Sequence, residues 1–211
     1  MPENARLGGS LNQIDLEFVE REATPQLLMK LSIQLHIAGL SLSNTVSFLD
    51  VFGVDRARST VHNWVHKADL QPEPGRSPDQ IAVDETVIRI DGEKYWLYAA
   101  VDPDSNELLH TKLKPTRTNA LAEIFFGELT QKHDVEDAVF LVDDATPLKE
   151  ACRRHGLAFK YEHHGDRNSV ERVFREVKRR TDCFSNCFSR VDPATADDWL
   201  SAFAFAWNRL I

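Results

Sequence analysis

A chain of 211 residues, 42% hydrophobic and with twelve Phe, can build one good-sized domain or a small unit joined to a larger one, which excludes a disordered chain. A formal net charge of −8 excludes a nucleic-acid binder that works through a globally basic surface, so any such role must use a local stripe. The three cysteines, Cys152, Cys183 and Cys187, match no zinc spacing and read as reduced thiols of an intracellular protein, no run is long enough to span a membrane, and the polar start predicts no secretory signal.

Residues 1–24 are polar, acidic and without period, which predicts a flexible arm. From Pro25 the pattern turns helical: "PQLLMKLSIQLHIAG" sets Leu27, Leu28, Leu31 and Leu35 on one stripe and ends at Gly39. "SLSNTVSFLDVFG" predicts a second helix, closed by Gly53. "RSTVHNWVHKADL" predicts a third, with Val61, Trp64, Val65 and Ala68 facing inward. Three short helices with a Gly turn before the last form a helix-turn-helix pattern over residues 25–70. Its third helix carries Ser59, Thr60, His62, Asn63 and Lys67, side chains able to contact bases or phosphates. A small bundle used for subunit contact is the competing reading.

Residues 71–79, "QPEPGRSPD", hold three prolines and a glycine and predict a linker. A different pattern starts at residue 80. "QIAVDETVIRI", "KYWLYAAVD" and "ELLHTKLKP" predict three strands, the first two joined at Asp91-Gly92. "TNALAEIFFGELTQKH" predicts a helix, "DAVFLVD" a buried strand, "TPLKEACRRHG" a helix and "LAFKY" a short strand. A basic helix from Asn168 and a last helix, "TADDWLSAFAFAWNRLI", complete the order. Hairpins followed by βαβ crossovers make residues 80–211 an α/β unit: a mixed sheet with helices on its faces.

Three carboxylates stand out by position. Asp84 lies inside the first strand, where a charge is costly unless it is paired or binds metal. Asp143 ends the apolar strand, at the crevice beyond the strand's carboxyl end. Glu171 opens the basic helix. Each also has a purely structural reading: Asp84 facing solvent on an edge strand, Asp143 or Asp144 capping the next helix, Glu171 boxing Asn168. As a set, hard oxygen ligands from two strands and a helix suit Mg²⁺ or Mn²⁺, and two such ions about 4 Å apart serve phosphodiester chemistry.

The helix around Glu171 holds six Lys/Arg within residues 166–180. Val170, Val173, Phe174 and Val177 form its buried stripe, and Arg172, Arg175 and Arg179 its outer face. Glu171 and Lys178 lie about 20° apart on the helical wheel, which would let Lys178 hold a phosphate of the strand met at Glu171. A solvated face laced with Glu–Arg pairs is the alternative.

These residues resemble transposases of the IS6 insertion-sequence family, especially its archaeal branch, from about Pro25 onward. The resemblance is carried by "STVHNWV", "VDET" at Asp84, "YAAVD", "VDDA" at Asp143, and "RNSVERVFREVKRR" with Glu171 and Lys178. It implies an RNase H-like core with an Asp84–Asp143–Glu171 metal triad, Asp143 rather than Asp144 filling the "VDxA" slot. It also implies a transposase that binds terminal inverted repeats, frees 3′-hydroxyls and transfers them into target DNA. A homodimer or larger assembly, and work in the cytoplasm on the nucleoid, are implied as well. The competing function is a non-catalytic helix-turn-helix regulator derived from such an enzyme.

Overall fold

The computed structural model describes residues 11, 13–17, 23–163, 165–181, 188 and 190–210. Most of the arm expected over 1–24 lies outside these residues, as do Cys183 and Cys187.

Three helices come first: α1 (Gln26–Ile37), α2 (Leu42–Val51) and α3 (Arg58–Lys67). Ser41 caps α2, its hydroxyl accepting from the Asn44 N–H. Gly39, at φ +119°, makes the left-handed turn that ends α1. The buried face of α1 differs from the expected leucine stripe: Leu27 is exposed, and Met29, Ile33 and Ile37 are buried with Ser32, Gln34 and His36. The reason is crowding, because α1 packs against α2, α3 and the last helix, so neighbours on several sides set its buried arc.

The sheet follows: β1 (Gln80–Ile90), β2 (Glu93–Val101), β3 (Leu108–Lys114), helix α4 (Asn119–Lys132), β4 (Val139–Val142), helix α5 (Thr146–Arg154) and β5 (Phe159–Tyr161). A short 3₁₀ turn, Gly165–Arg167, leads into α6 (Asn168–Thr181), and α7 (Pro193–Leu210) closes the chain. Asp91 and Gly92 both have positive φ, +49° and +85°, which is the two-residue turn whose twist suits a β-hairpin. The sheet order is β3-β2-β1-β4-β5; β1, β2 and β3 are antiparallel neighbours, while β4 runs parallel to both β1 and β5. That is the mixed α/β, RNase H-like arrangement, with the three helices preceding it.

Alternation along β1 divides the core. Ile81 and Val83 pack with α4 and α5 around Phe125, Phe126 and Phe140. Ala82, Ile88 and Ile90 pack with α6 and α7, and the same cluster takes in Met29, Ile33, Leu49 and Trp64 of the first three helices. Ile14 and Leu16, inside the segment expected as a loose arm, are also buried in it. The 71–79 segment is tied down as well: the Gly75 N–H donates to Lys132 O and the Arg76 N–H to His133 Nδ1, and Arg76 pairs with Glu107 at 2.8 Å.

A buried polar chain fixes α4 on β3. Lys132 Nζ donates to His110 Nδ1 at 3.3 Å, so the other ring nitrogen, Nε2, carries the proton and donates to Glu128 at 3.0 Å. The His110 hydrogen bond, with Lys114 beside it, holds Glu128 down to about 2, and burial lowers His110. Both shifts act in one direction. Below its ordinary value of 6.5 His110 takes a proton only when unfolded, and Glu128's contribution, complete above 4.5, is lost as pH falls toward 2. This chain of contacts is therefore expected to contribute less to thermal stability as pH falls from 7. The deficit of Glu128→Gln relative to the parent, present at pH 7, should shrink below pH 4.5. A deficit independent of pH would remove Glu128 from this account.

Candidate active site

Two parallel strands bring the first two carboxylates together. The β1–β4 register pairs Ala82 with Leu141, and Asp84 and Asp143 each lie two residues beyond that pair. Neighbouring strands run about 4.8 Å apart and side chains two residues apart share a face. Asp84 is nearly buried, on the face covered by α6. β4 ends at Val142, and Asp143 turns out of it, its Oδ1 accepting from the Ala145 N–H at 2.8 Å. That bond is an Asx turn leading into α5 and not the expected helix cap, because the N-cap residue, Ala145, lacks any side-chain cap and cannot supply one itself. Asp144 points outward and pairs with Lys149 at 2.6 Å.

The third carboxylate comes from α6. This helix buries Ser169, Val170, Val173, Phe174, Val177 and Thr181, which leaves Glu171 at the margin, about half exposed. Glu171 pairs backward with Arg167, whose guanidinium spans the site: Nη2 donates to Asp84 Oδ2 at 2.7 Å and Nη1 to Glu171 Oε1 at 3.4 Å. Burial pushes Asp84 up to about 6 against the pull of Arg167 and the Glu85 N–H, and repulsion from Asp143 and Glu171 adds to the rise. Asp143 and Glu171, both distant from Asp84 in sequence, each lie near enough to repel its charge.

The oxygen donors have the chemistry of a hard divalent cation. Closure is another matter. Among the described residues no three His, Cys, Asp or Glu side chains stand close enough to hold an ion. Arg167 takes an oxygen each from Asp84 and Glu171, and Asp143 gives one to the Ala145 N–H of its own turn.

Around this centre Lys178 Nζ donates to Thr86 Oγ1 at 2.9 Å, and Thr86 shares the face of Asp84. Arg172 and Arg175 are exposed on the outer face, Arg172 donating to Asn106, while Arg179 pairs with Glu176 at 2.8 Å. On α3, Ser59, Asn63 and Lys67 are exposed, Thr60 and His62 half-buried, and Val61, Trp64 and Val65 buried.

Sequence reasoning missed three residues. Arg167 has a signal, four residues before Glu171, but its main partner is Asp84, 83 residues away. Glu85, beneath the sheet, is pushed up to about 7 by burial, against Arg117, which pairs with it at 2.6 Å and lies over Trp96.

The DDE domain of IS240-type transposases matches residues 79–194, a span that contains Asp84, Asp143 and Glu171. An uncharacterized protein of Methanocaldococcus jannaschii is 33% identical over 180 residues, covering 82% of each chain. The catalytic core domain of the integrase of BIV is similar at 18% identity over 58% of this chain and 82% of its own, with a TM-score of 0.43. That of HTLV-2, solved in complex with magnesium in a trimeric form, is similar at 15% identity over 61% and 85%, with a TM-score of 0.44. The domain match over more than half of the chain and the archaeal relative along most of it make the protein a member of the DDE transposase domain family of IS6-type insertion sequences.

Proposed function

We propose that the protein is a DNA transposase whose α3 binds terminal inverted repeats and whose Asp84–Asp143–Glu171 site cleaves DNA and transfers 3′-hydroxyl ends into target DNA. What supports this reading is the register that sets Asp84 and Asp143 at matching positions of β1 and β4, with Arg167 bridging Asp84 and Glu171, inside a DDE family domain.

Asp84, Asp143 and Glu171 would hold Mg²⁺ or Mn²⁺, two ions in the complete site, and the metal would supply Lewis-acid polarisation of the phosphodiester and a water acidic enough to attack at neutral pH. Lys178, exposed and bonded to Thr86, would hold a phosphate of the strand under attack. Arg172, Arg175 and Arg179 extend that basic stripe along the outer face of α6. Ser59, Thr60, His62, Asn63 and Lys67 of α3 provide the repeat contacts. The nucleophiles are water and then a 3′-hydroxyl, so no covalent enzyme–DNA intermediate forms. Pairing two ends calls for a homodimer or larger assembly, acting in the cytoplasm on the nucleoid.

Incubation with labelled terminal-repeat DNA in Mg²⁺ tests the reading. Joined products support it, cutting without joining marks a nuclease, and binding with neither marks the regulator. Lys178→Ala is expected to weaken DNA binding and to lower the slope of log K against log salt by about 0.9, one phosphate contact. An unchanged slope would make Lys178 a surface charge only.

A further inference from the structure

We infer that Arg167 is the resident counter-cation of the carboxylate site: its guanidinium holds Asp84 and Glu171 together without metal, competes with a divalent ion for the same oxygens, and so sets how tightly the site loads. The inference rests on the metal-site reading of Asp84, Asp143 and Glu171.

Geometry is the first support. One planar fork meets two carboxylates from different elements, at 2.7 Å and 3.4 Å, with its side chain only 7% exposed. Those contacts fall on oxygens a metal ion would need. A dication brought to the same oxygens meets a guanidinium already against them, and in a partly desolvated site that repulsion is not screened away.

The fork is also imperfectly satisfied. Arg167 Nε is buried and has no hydrogen-bond partner among the described residues, a recognised cost for a buried donor. One short contact and one long one are made while the third nitrogen goes unpaired, which keeps the fork displaceable.

The backbone under Arg167 is pinned, so exchange belongs to its side chain. Gly165 has φ +89°, and a Cβ there would meet Glu162 Oε1 at 2.7 Å. Glu162 Oε1 in turn accepts from the Asp166 N–H at 2.8 Å. The turn is locked one residue before Arg167. Asp143 stands outside the fork, in its own turn with the Ala145 N–H.

Arg167 is thus a positioning residue, acting through Asp84 and Glu171. The test is Mn²⁺ binding to the full chain without DNA, read by electron paramagnetic resonance of free Mn²⁺, with thermal melts in EDTA and in Mn²⁺. Arg167→Met should bind Mn²⁺ roughly tenfold tighter or more, from relief of repulsion at an effective dielectric of about 20. It should melt lower than the parent in EDTA and gain more from Mn²⁺. Arg167→Lys, whose single ammonium cannot span both carboxylates, should fall between the two. Equal or weaker Mn²⁺ binding by folded Arg167→Met overturns the inference. An Arg167→Met chain that folds only with Mn²⁺ supports it; if it folds under neither condition, Arg167→Lys decides, tighter binding than the parent supporting and equal or weaker binding overturning. Normal Mn²⁺ binding by the parent without tightening in the variants sinks this inference and leaves the metal site standing. No Mn²⁺ binding by the parent or either variant sinks both.

Discussion

Asp84→Asn, Asp143→Asn and Glu171→Gln are each expected to reduce strand cleavage and joining in Mg²⁺ by on the order of 10³-fold, while binding of the terminal repeat survives. Each substitution keeps the side-chain shape and removes one anionic oxygen pair. They should differ in stability. At 143 an amide oxygen still accepts from the Ala145 N–H, so folding is expected to be unchanged. Glu171 is about half exposed, so Gln there should be nearly neutral. Asp84 is the nearly buried partner of Arg167, and an Asn there leaves the guanidinium with Glu171 alone, so this variant should melt lowest of the three. End-labelled cleavage assays beside circular-dichroism melts separate the two effects. Parent-like cleavage by any one of them takes that residue out of the triad.

Phe203→Ala is expected to be the most damaging single truncation away from the site, costing about 3–5 kcal/mol. Phe203 is fully buried in α7, its ring 5.9 Å from Trp199 and from Trp207, with the Arg180 guanidinium 5.3 Å over it. Three groups from two helices meet on one ring, and an alanine leaves a cavity none of them can fill without breaking another contact. At this chain length 1 kcal/mol moves Tm by roughly 2–4 °C, so a fall on the order of 10 °C is expected. Ile124→Ala, at a half-exposed position on α4, should shift Tm very little and serves as the comparison. A Phe203→Ala melt within a degree or two of the Ile124→Ala melt would mean that α7 is not the hub of this core.

The strand and helix order was readable because each element carries its own local signal: Asp91-Gly92 for the hairpin, Pro147 and Gly156 around α5, the Val170–Val173–Phe174–Val177 stripe of α6. The positions of Asp84 and Asp143 were readable for the same reason, one inside a strand and the other at a strand's end. What stayed hidden depends on distant partners. The buried face of α1 is set by three neighbouring helices, so its leucines misled. Arg167 looked like one more basic residue on a charged helix, because nothing near it in sequence points to Asp84. The 71–79 segment has the composition of a free connector, and only its bonds to Lys132, His133 and Glu107 reveal that it is fastened.

That fastening is one of the ties between the three helices and the sheet. α1 and α3 pack on α7, His66 of α3 reaches Asp198 of α7 at 3.2 Å, and α7 lies on β3 of the catalytic sheet. On the proposed function, a duplex held by α3 would therefore be presented to Asp84 through the packed seat of α7 rather than on a tether. Extra residues spliced into 71–79 would leave the nick at the same base pair, whereas loosening the seat of α7 would scatter it.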